Sequence, residues 1–297
     1  MKYKAKLTLA LILFAIAARS QENKEQKMEL TLISQVNQGN SYITFPTDIG
    51  NIEPLWFEGN VIPNFYLRKS KNARLMGVLT PQIIIRMYQE ESYPVRTPSY
   101  MPQITVYYKL NDKNQFKSSS VFLRAAHHSN GQDGDFILED GSFNHNSGDF
   151  STNFLEAGLI KTNLNRRFNA YQFFKTSFEV HPNGFMQEEL EGFYSQYRWH
   201  NAFSIIKLSS RNNQEDLKKS AFSIKGEITW MFGDFNQLDV FSAERLNLSL
   251  TFYYHPKFLE DIGLFVQYYH GTDYYNMYFD HRLDVLRFGF MTEKLIF

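Results

Sequence analysis

Beyond residue 58 the chain is built of short stretches in which apolar and polar positions alternate. In 222–232, Phe222, Ile224, Gly226, Ile228, Trp230 and Phe232 fall on one parity, and Ser223, Lys225, Glu227 and Thr229 on the other. In 246–254, Leu246, Leu248, Leu250, Phe252 and Tyr254 oppose Asn247, Ser249, Thr251 and Tyr253. In 104–110, Ile104, Val106, Tyr108 and Leu110 oppose Thr105, Tyr107 and Lys109. A period of two is that of a strand, whose successive side chains point to opposite faces. Extended segments are predicted over 60–68, 74–88, 100–110, 116–129, 151–163, 169–181, 194–209, 219–232, 246–255, 262–271 and 283–297, punctuated by Asn, Gly, Asp and Lys clusters. Asn212 to Lys219 reads as a polar turn and Glu188 to Gly192 as a short helical turn; no segment of helical period competes with the strands. Residues 21–58 are polar and weakly patterned, and are read as a partly ordered N-terminal segment.

The alternation alone would suit a soluble sandwich with its apolar faces turned inward. Two features turn the reading toward a transmembrane antiparallel β-barrel. Lys225 and Glu227 sit in mid-strand, where a polar barrel interior would take them, and the segments are near ten residues long. The ends of the chain agree. Lys2, Lys4 and Lys6 precede a largely apolar stretch, Leu7 to Ala17, and then the small residues Ala17, Ala18 and Ser20. This is the layout of a secretory signal peptide over 1–20, cleaved after Ser20 or after Ala17. The organisation expected is therefore signal peptide 1–20, N-terminal segment 21–58 and barrel 59–297. The chain ends in Leu295-Ile296-Phe297 within its last strand, like the assembly signal of bacterial outer-membrane barrels. Eleven segments are visible, whereas single-chain bacterial barrels have even strand counts. Twelve strands are expected, the missing one lying around Tyr42 to Phe45 or hidden by the merging of two within 194–209.

Composition by itself leaves a transmembrane barrel and a soluble β-rich protein equally open. There are 28 Phe, 18 Tyr and 3 Trp, 16% of the chain, yet the mean hydropathy is −0.39. Many aromatics with modest hydropathy suit a barrel with aromatic girdles. Lys+Arg and Asp+Glu both number 31, which offers no basic face for nucleic acid. Cysteine is absent, so there is no disulfide, thiolate metal site or cysteine nucleophile. His255, His270 and His281 lack metal-ligand spacing and read as interfacial or loop residues; Gly131 to Gly134 is too short and acidic for a phosphate loop; Glu90-Glu91 reads as a solvated loop.

Candidate chemistry lies at the end of 116–129. Val121, Leu123 and Ala125 share one face, and Phe122, Arg124 and Ala126 the other. Arg124 does not suit mid-depth lipid, so the odd parity faces out. His127 and Ser129 continue that parity, whereas His128 points inward with Arg124. A serine needs a base within reach, and the base a group that orients it. Asn153 opens the next segment on the parity of Leu155, Ala157 and Leu159, opposite Glu156, and is the candidate orienter.

The run His127-x-Ser129-Asn130-Gly131, followed by Asn153 at the start of a strand, resembles outer-membrane phospholipase A; Ser92-Tyr93-Pro94 and Tyr100-Met101-Pro102-Gln103 resemble the same family. The resemblance is specific over about 92–160. It implies a twelve-stranded barrel in the bacterial outer membrane that hydrolyses glycerophospholipid acyl esters. Ser129 would be the nucleophile, His127 the proton acceptor and Asn153 the orienter. It further implies a calcium-dependent homodimer. The ion would be held by the Gln132 carbonyl, by a third ligand whose nearest match is Asp149, and by a partner residue at the position of Ser92. All of these supply oxygen, as calcium requires. The stretch between Ser129 and Asn153 is longer than the family pattern and rich in acids, so Asp133, Asp135 and Ser151 stand as alternatives to Asp149. Competing readings are a porin or adhesin without enzymatic function, and a barrel esterase acting on lipopolysaccharide, for which an acidic third residue in place of Asn153 would be expected.

Overall fold

The computed structural model describes residues 29–292 apart from 46–48, 51–52, 71, 92–93, 115–116, 209–219, 257 and 260–261. The expected signal peptide, the polar turn Asn212 to Lys219 and the terminal Leu295-Ile296-Phe297 lie outside the described residues.

Antiparallel strands run in chain order as β1 (Tyr42–Thr44), β2 (Leu55–Val61), β3 (Phe65–Leu67), β4 (Leu75–Tyr88), β5 (Ser99–Asn114), β6 (Lys117–Ser129), β7 (Ser151–Asn165), β8 (Ala170–Val180), β9 (Tyr197–Leu208), β10 (Ser220–Phe232), β11 (Leu246–Tyr254), β12 (Gly263–Thr272) and β13 (Arg282–Met291). Both β2 and β3 pair with β4 and are two stretches of one strand. The break at 62–64 contains Pro63, which has no amide to donate to a ladder. Counted so, 13 stretches make twelve strands, and β1, pairing β13 on one side and β2 on the other, closes the cylinder. Closure removes the unpaired edge, which is what allows a sheet to cross lipid. The missing strand is the one around Tyr42; residues 197–208 form one strand. The strand expected over 60–68 starts earlier, at Leu55.

The alternation sorts as the barrel reading requires. Leu123, Ile104, Ile228 and Leu250 are exposed on the outer wall, whereas Thr105, Tyr107, Ser120 and Glu156 are buried inside. Apolar parity faces out and polar parity faces in, the inverse of a soluble sandwich. The inner charges are paired. Arg86 grips Asp273 with two bonds of 2.6 and 2.8 Å and Glu58 with one of 2.7 Å, and Arg287 donates to Glu58 at 2.9 Å. The Tyr42 hydroxyl donates to Glu58 as well, at 2.6 Å. Glu156 accepts from Arg124, Lys175 and Ser177 at 2.8, 2.8 and 2.6 Å.

The segment 21–58 departs from the expectation. It contains a helix, α1 (Leu30–Gln38), as well as β1 and most of β2. Nine residues with no side-chain cap at Glu29 would not hold as a helix alone. Leu30, Leu32 and Ile33 are buried inside the barrel against Met76, Val78, Tyr107, Phe122, Ile160, Phe173 and Ile206. Gln38 donates to Thr105 and accepts from Arg124. The surroundings, not the local pattern, make this helix. At the opposite end Phe136, Phe150, Met186, Leu190, Tyr194, Met277 and Phe279 form a second apolar cluster. Between them an interior cavity of about 480 Å³ adjoins α1. The lumen thus holds apolar packing toward both ends. The connections 89–98, 130–150, 181–196, 233–245 and 273–281 all leave the end away from α1; in such barrels the longer loops face outside.

Glu58 is fully buried between two guanidinium groups. Glu58→Ala leaves Arg287 without its carboxylate and is expected to cost about 3–5 kcal/mol. A lower unfolding temperature in detergent measures it; an unchanged one would show that the buried ion pairs are not needed.

Candidate functional site

The pairing of β6 with β7 runs unbroken from Lys117↔Asn163 to Ser129↔Ser151 and sets His127 opposite Asn153. Residues directly opposite on an antiparallel pair share a face. His127, Ser129, Ser151 and Asn153 therefore all lie on the outward parity of Leu123 and Leu155, which are 56% and 45% exposed. They form the rim above that apolar band, where the strands pass into the long loops. His128 is buried inside, its ring 4.8 Å from that of Phe150.

His127 Nδ1 and Asn153 Oδ1 are 3.0 Å apart. Which of the two donates is settled by a third residue. Asn153 Nδ2 donates to the Phe185 carbonyl at 2.8 Å, and the Asn153 backbone amide donates to the same oxygen at 2.9 Å. With its amide nitrogen engaged there, Asn153 turns its carbonyl oxygen to the imidazole. Nδ1 must then carry the proton, and Nε2 keeps its lone pair. Among the described residues no hydrogen bond joins Ser129 Oγ to His127. The orienting bond is made, while the serine stands two positions along the same face.

The turn after Ser129 is tied down by Asn130, which is buried. Its Nδ2 donates to the Gly148 carbonyl, and its Oδ1 accepts from the Gln132 and Phe150 amides. Gly131 has φ +67°, a left-handed conformation that favours glycine. The two arms of the loop then run side by side, with Gly134 N donating to Ser147 O and Asp149 N to Gly134 O, each at 3.0 Å. Beyond them the loop folds back through Ile137↔Phe143, its tip held by Ser142, whose hydroxyl and amide donate to Asp140. Those two bonds hold the Asp140 carboxyl below the usual carboxylate range.

The loop architecture brings Gln132 and Asp149 to neighbouring arms beside the Ser129↔Ser151 pair. Among the described residues neither the Gln132 carbonyl nor the Asp149 carboxylate has a hydrogen-bond or ion-pair partner. Two unengaged oxygens and the serine hydroxyls make a donor set that fits calcium. Asp133 and Asp135 are exposed on the outer side of the loop, and Ser151 remains beside Ser129. Ser92 lies outside the described residues. Sequence reasoning missed Phe185, whose contribution is a backbone carbonyl and leaves no mark in residue type. It also assigned no role to Asn130, which the sequence marks by its place before Gly131 in the run.

No family model matches the sequence, and no curated protein matches it. The fold has counterparts among solved structures. Outer membrane phospholipase A from Escherichia coli superposes with a TM-score of 0.59 at 12% identity, over 91% of this chain and 100% of that one. An active-site asparagine-to-alanine variant of the same enzyme gives 0.57 at 13%, over 95% and 97%. The Salmonella typhi outer membrane phospholipase dimer with bound calcium gives 0.57 at 11%, over 93% and 96%. The chain has the twelve-stranded barrel fold of outer membrane phospholipase A, and the resemblance first carried by residues 92–160 extends, as fold, over nearly the whole chain.

The His127 tautomer is open to direct measurement. Nitrogen-15 NMR of His127 in detergent is expected to show a protonated Nδ1 and a bare Nε2, with this preference lost in Asn153→Ala. A predominant Nε2–H form in the unaltered chain would contradict the orientation derived from Phe185.

Proposed function

We propose that the protein is a calcium-dependent phospholipase of the outer membrane that hydrolyses glycerophospholipid acyl esters. The observation that carries this reading is the outward-facing chain Phe185 carbonyl, Asn153, His127, with Ser129 beside it at the top of the apolar band. There a lipid ester would meet the side chains from the membrane side, without entering the barrel. Two of the fold neighbours agree with it: an asparagine belongs to the active site of one, and calcium is bound in the dimer of another.

In this reading Ser129 Oγ attacks the acyl carbonyl carbon while His127 Nε2 takes its proton. The tetrahedral intermediate carries its negative charge on the former carbonyl oxygen. Within the turn after Ser129, the Asn130 amide is spent on Phe150 and the Gln132 amide on Asn130. The Gly131 N–H, with no partner among the described residues, is left to donate to that oxygen. Collapse breaks the ester C–O bond, and His127 returns the proton to the departing lysophospholipid oxygen. Water then attacks the acyl-Ser129 ester, again giving its proton to His127; the C–Oγ bond breaks, His127 returns that proton to Ser129 Oγ, and fatty acid leaves. Asn153 keeps the imidazole in the one tautomer and orientation that both steps use. Calcium held by Gln132, Asp149 and Ser92 of the partner subunit would add positive charge near the oxyanion. Its sharing between two chains would make the homodimer the active form. Export through a signal peptide over 1–20 belongs to the same proposal. The porin alternative has less support, because α1 and the aromatic cluster pack inside the lumen.

The test is release of fatty acid from phospholipid in detergent with calcium. Ser129→Ala is expected to abolish turnover, and His127→Ala to lower it by about 10²–10⁴-fold, while His128→Ala keeps most of it. Equal turnover by the Ser129→Ala chain would overturn the assignment. EDTA is expected to stop the reaction and calcium to restore it; undiminished turnover in EDTA would remove the metal from the proposal.

A further inference from the structure

A second cluster of ligating side chains lies apart from the outward site. His145 is in the loop between β6 and β7, and Asp280 and His281 end the connection from β12 to β13. Their sequence gives no ligand spacing because His145 and Asp280 are 135 residues apart. In the fold His145 Nε2 is 3.1 Å from Asp280 Oδ1, and His281 Nε2 is 3.7 Å from Asp280 Oδ2. One ligand atom from each of the three lies within 4.8 Å of the others.

These distances suit a common ion. Zinc holds imidazole nitrogen and carboxylate oxygen at about 2.0–2.2 Å, so two ligands at the tetrahedral angle are separated by about 3.4 Å. The 3.1 and 3.7 Å separations, one to each oxygen of the Asp280 carboxylate, lie on either side of that value. A hydrogen bond accounts for His145 and Asp280 alone. It does not account for His281, whose Nε2 turns to the same carboxylate while its buried Nδ1 has no partner. The rings are already held. His145 stacks on Tyr278 at 4.7 Å and lies 4.6 Å from His281. Tyr278 in turn accepts from Arg96. The guanidinium is engaged by Glu53 and Glu90 at 2.8 and 2.7 Å, so its charge is balanced locally. The three side chains are 24%, 23% and 25% exposed, which leaves an opening for water. Two imidazoles and one carboxylate favour a zinc-type cation over calcium, which takes oxygen ligands.

We propose that His145, Asp280 and His281 bind a zinc-type divalent cation, with water as the fourth ligand, and so clamp the β6–β7 loop to the β12–β13 loop. Beneath the clamp Phe143 and Phe136 of the first loop pack on Phe279 of the second. The metal would join at their surface two segments already joined by aromatic packing. The proposal does not depend on ester hydrolysis, since none of the three residues belongs to the outward site.

The test uses the purified full chain in detergent, stripped with EDTA and freed of chelator. Titration with Zn²⁺ is expected to show one saturable site per chain that excess Ca²⁺ does not displace. Co²⁺ at the same site is expected to give the strong visible absorption of a four-coordinate ion. His145→Gln and His281→Gln should each weaken zinc binding by about 100-fold, a difference of about 2.7 kcal/mol. Absence of saturable zinc binding by the unaltered chain overturns the proposal whether or not the variants fold. Unchanged affinity in both variants overturns it as well.

Discussion

The register between β6 and β7 is the constraint on which the rest of the site depends. Side chains alternate faces with a period of two, so a slip of one residue would carry every group on one strand to the opposite side. Here the ladder from Lys117↔Asn163 to Ser129↔Ser151 keeps Arg124 opposite Glu156 inside and His127 opposite Asn153 outside. The two pairings enforce each other. An Arg124 turned to lipid, away from Glu156, would be an unpaired charge in hydrocarbon, so the buried ion pair pins the register that also aligns the outer residues. The interior electrostatics and the outward chemistry are thus two faces of one hydrogen-bond ladder.

The same logic explains why the interior is crowded with charge. Lipid is as apolar as the outer wall, so the outward leucines gain little from burial and do not hold the cylinder together. The backbone ladder and the inner contacts remain. Arg86, Glu58, Asp273 and Arg287 link β4, β2, the β12–β13 connection and β13 across the seam where the barrel closes. Desolvated groups of this kind are tolerable only when each has its partners. Toward the end away from the long loops the inner wall becomes apolar, and α1 fills it.

At the other end the long loops do two things. The 130–150 loop carries Gln132 and Asp149, and its base is closed by Asn130 bonding across to Gly148 and Phe150. Its far part packs against the β12–β13 connection through phenylalanines and through the His145, Asp280 and His281 cluster. The loop is therefore anchored at its root and on either side of its exposed tip.

Much of this was legible in the sequence. Alternation in 104–110, 222–232 and 246–254 marked both strands and faces, and parity with Arg124 selected His127 over His128. These are local properties, because a strand's two faces follow from neighbouring residues alone. Four features were decided only by tertiary structure. The helix at Leu30–Gln38 exists because the lumen buries its apolar side, so no window on residues 21–58 could show it. The first barrel strand is too short at Tyr42–Thr44 to alternate visibly and is made by its pairing with β13. The His127 tautomer depends on the Phe185 carbonyl, a backbone group that any residue would supply. His281 finds His145 only because the chain returns, after crossing the barrel many times, to the loop that follows Ser129. Sequence specifies what alternates along a strand; which distant loops meet above it is set by closure of the cylinder.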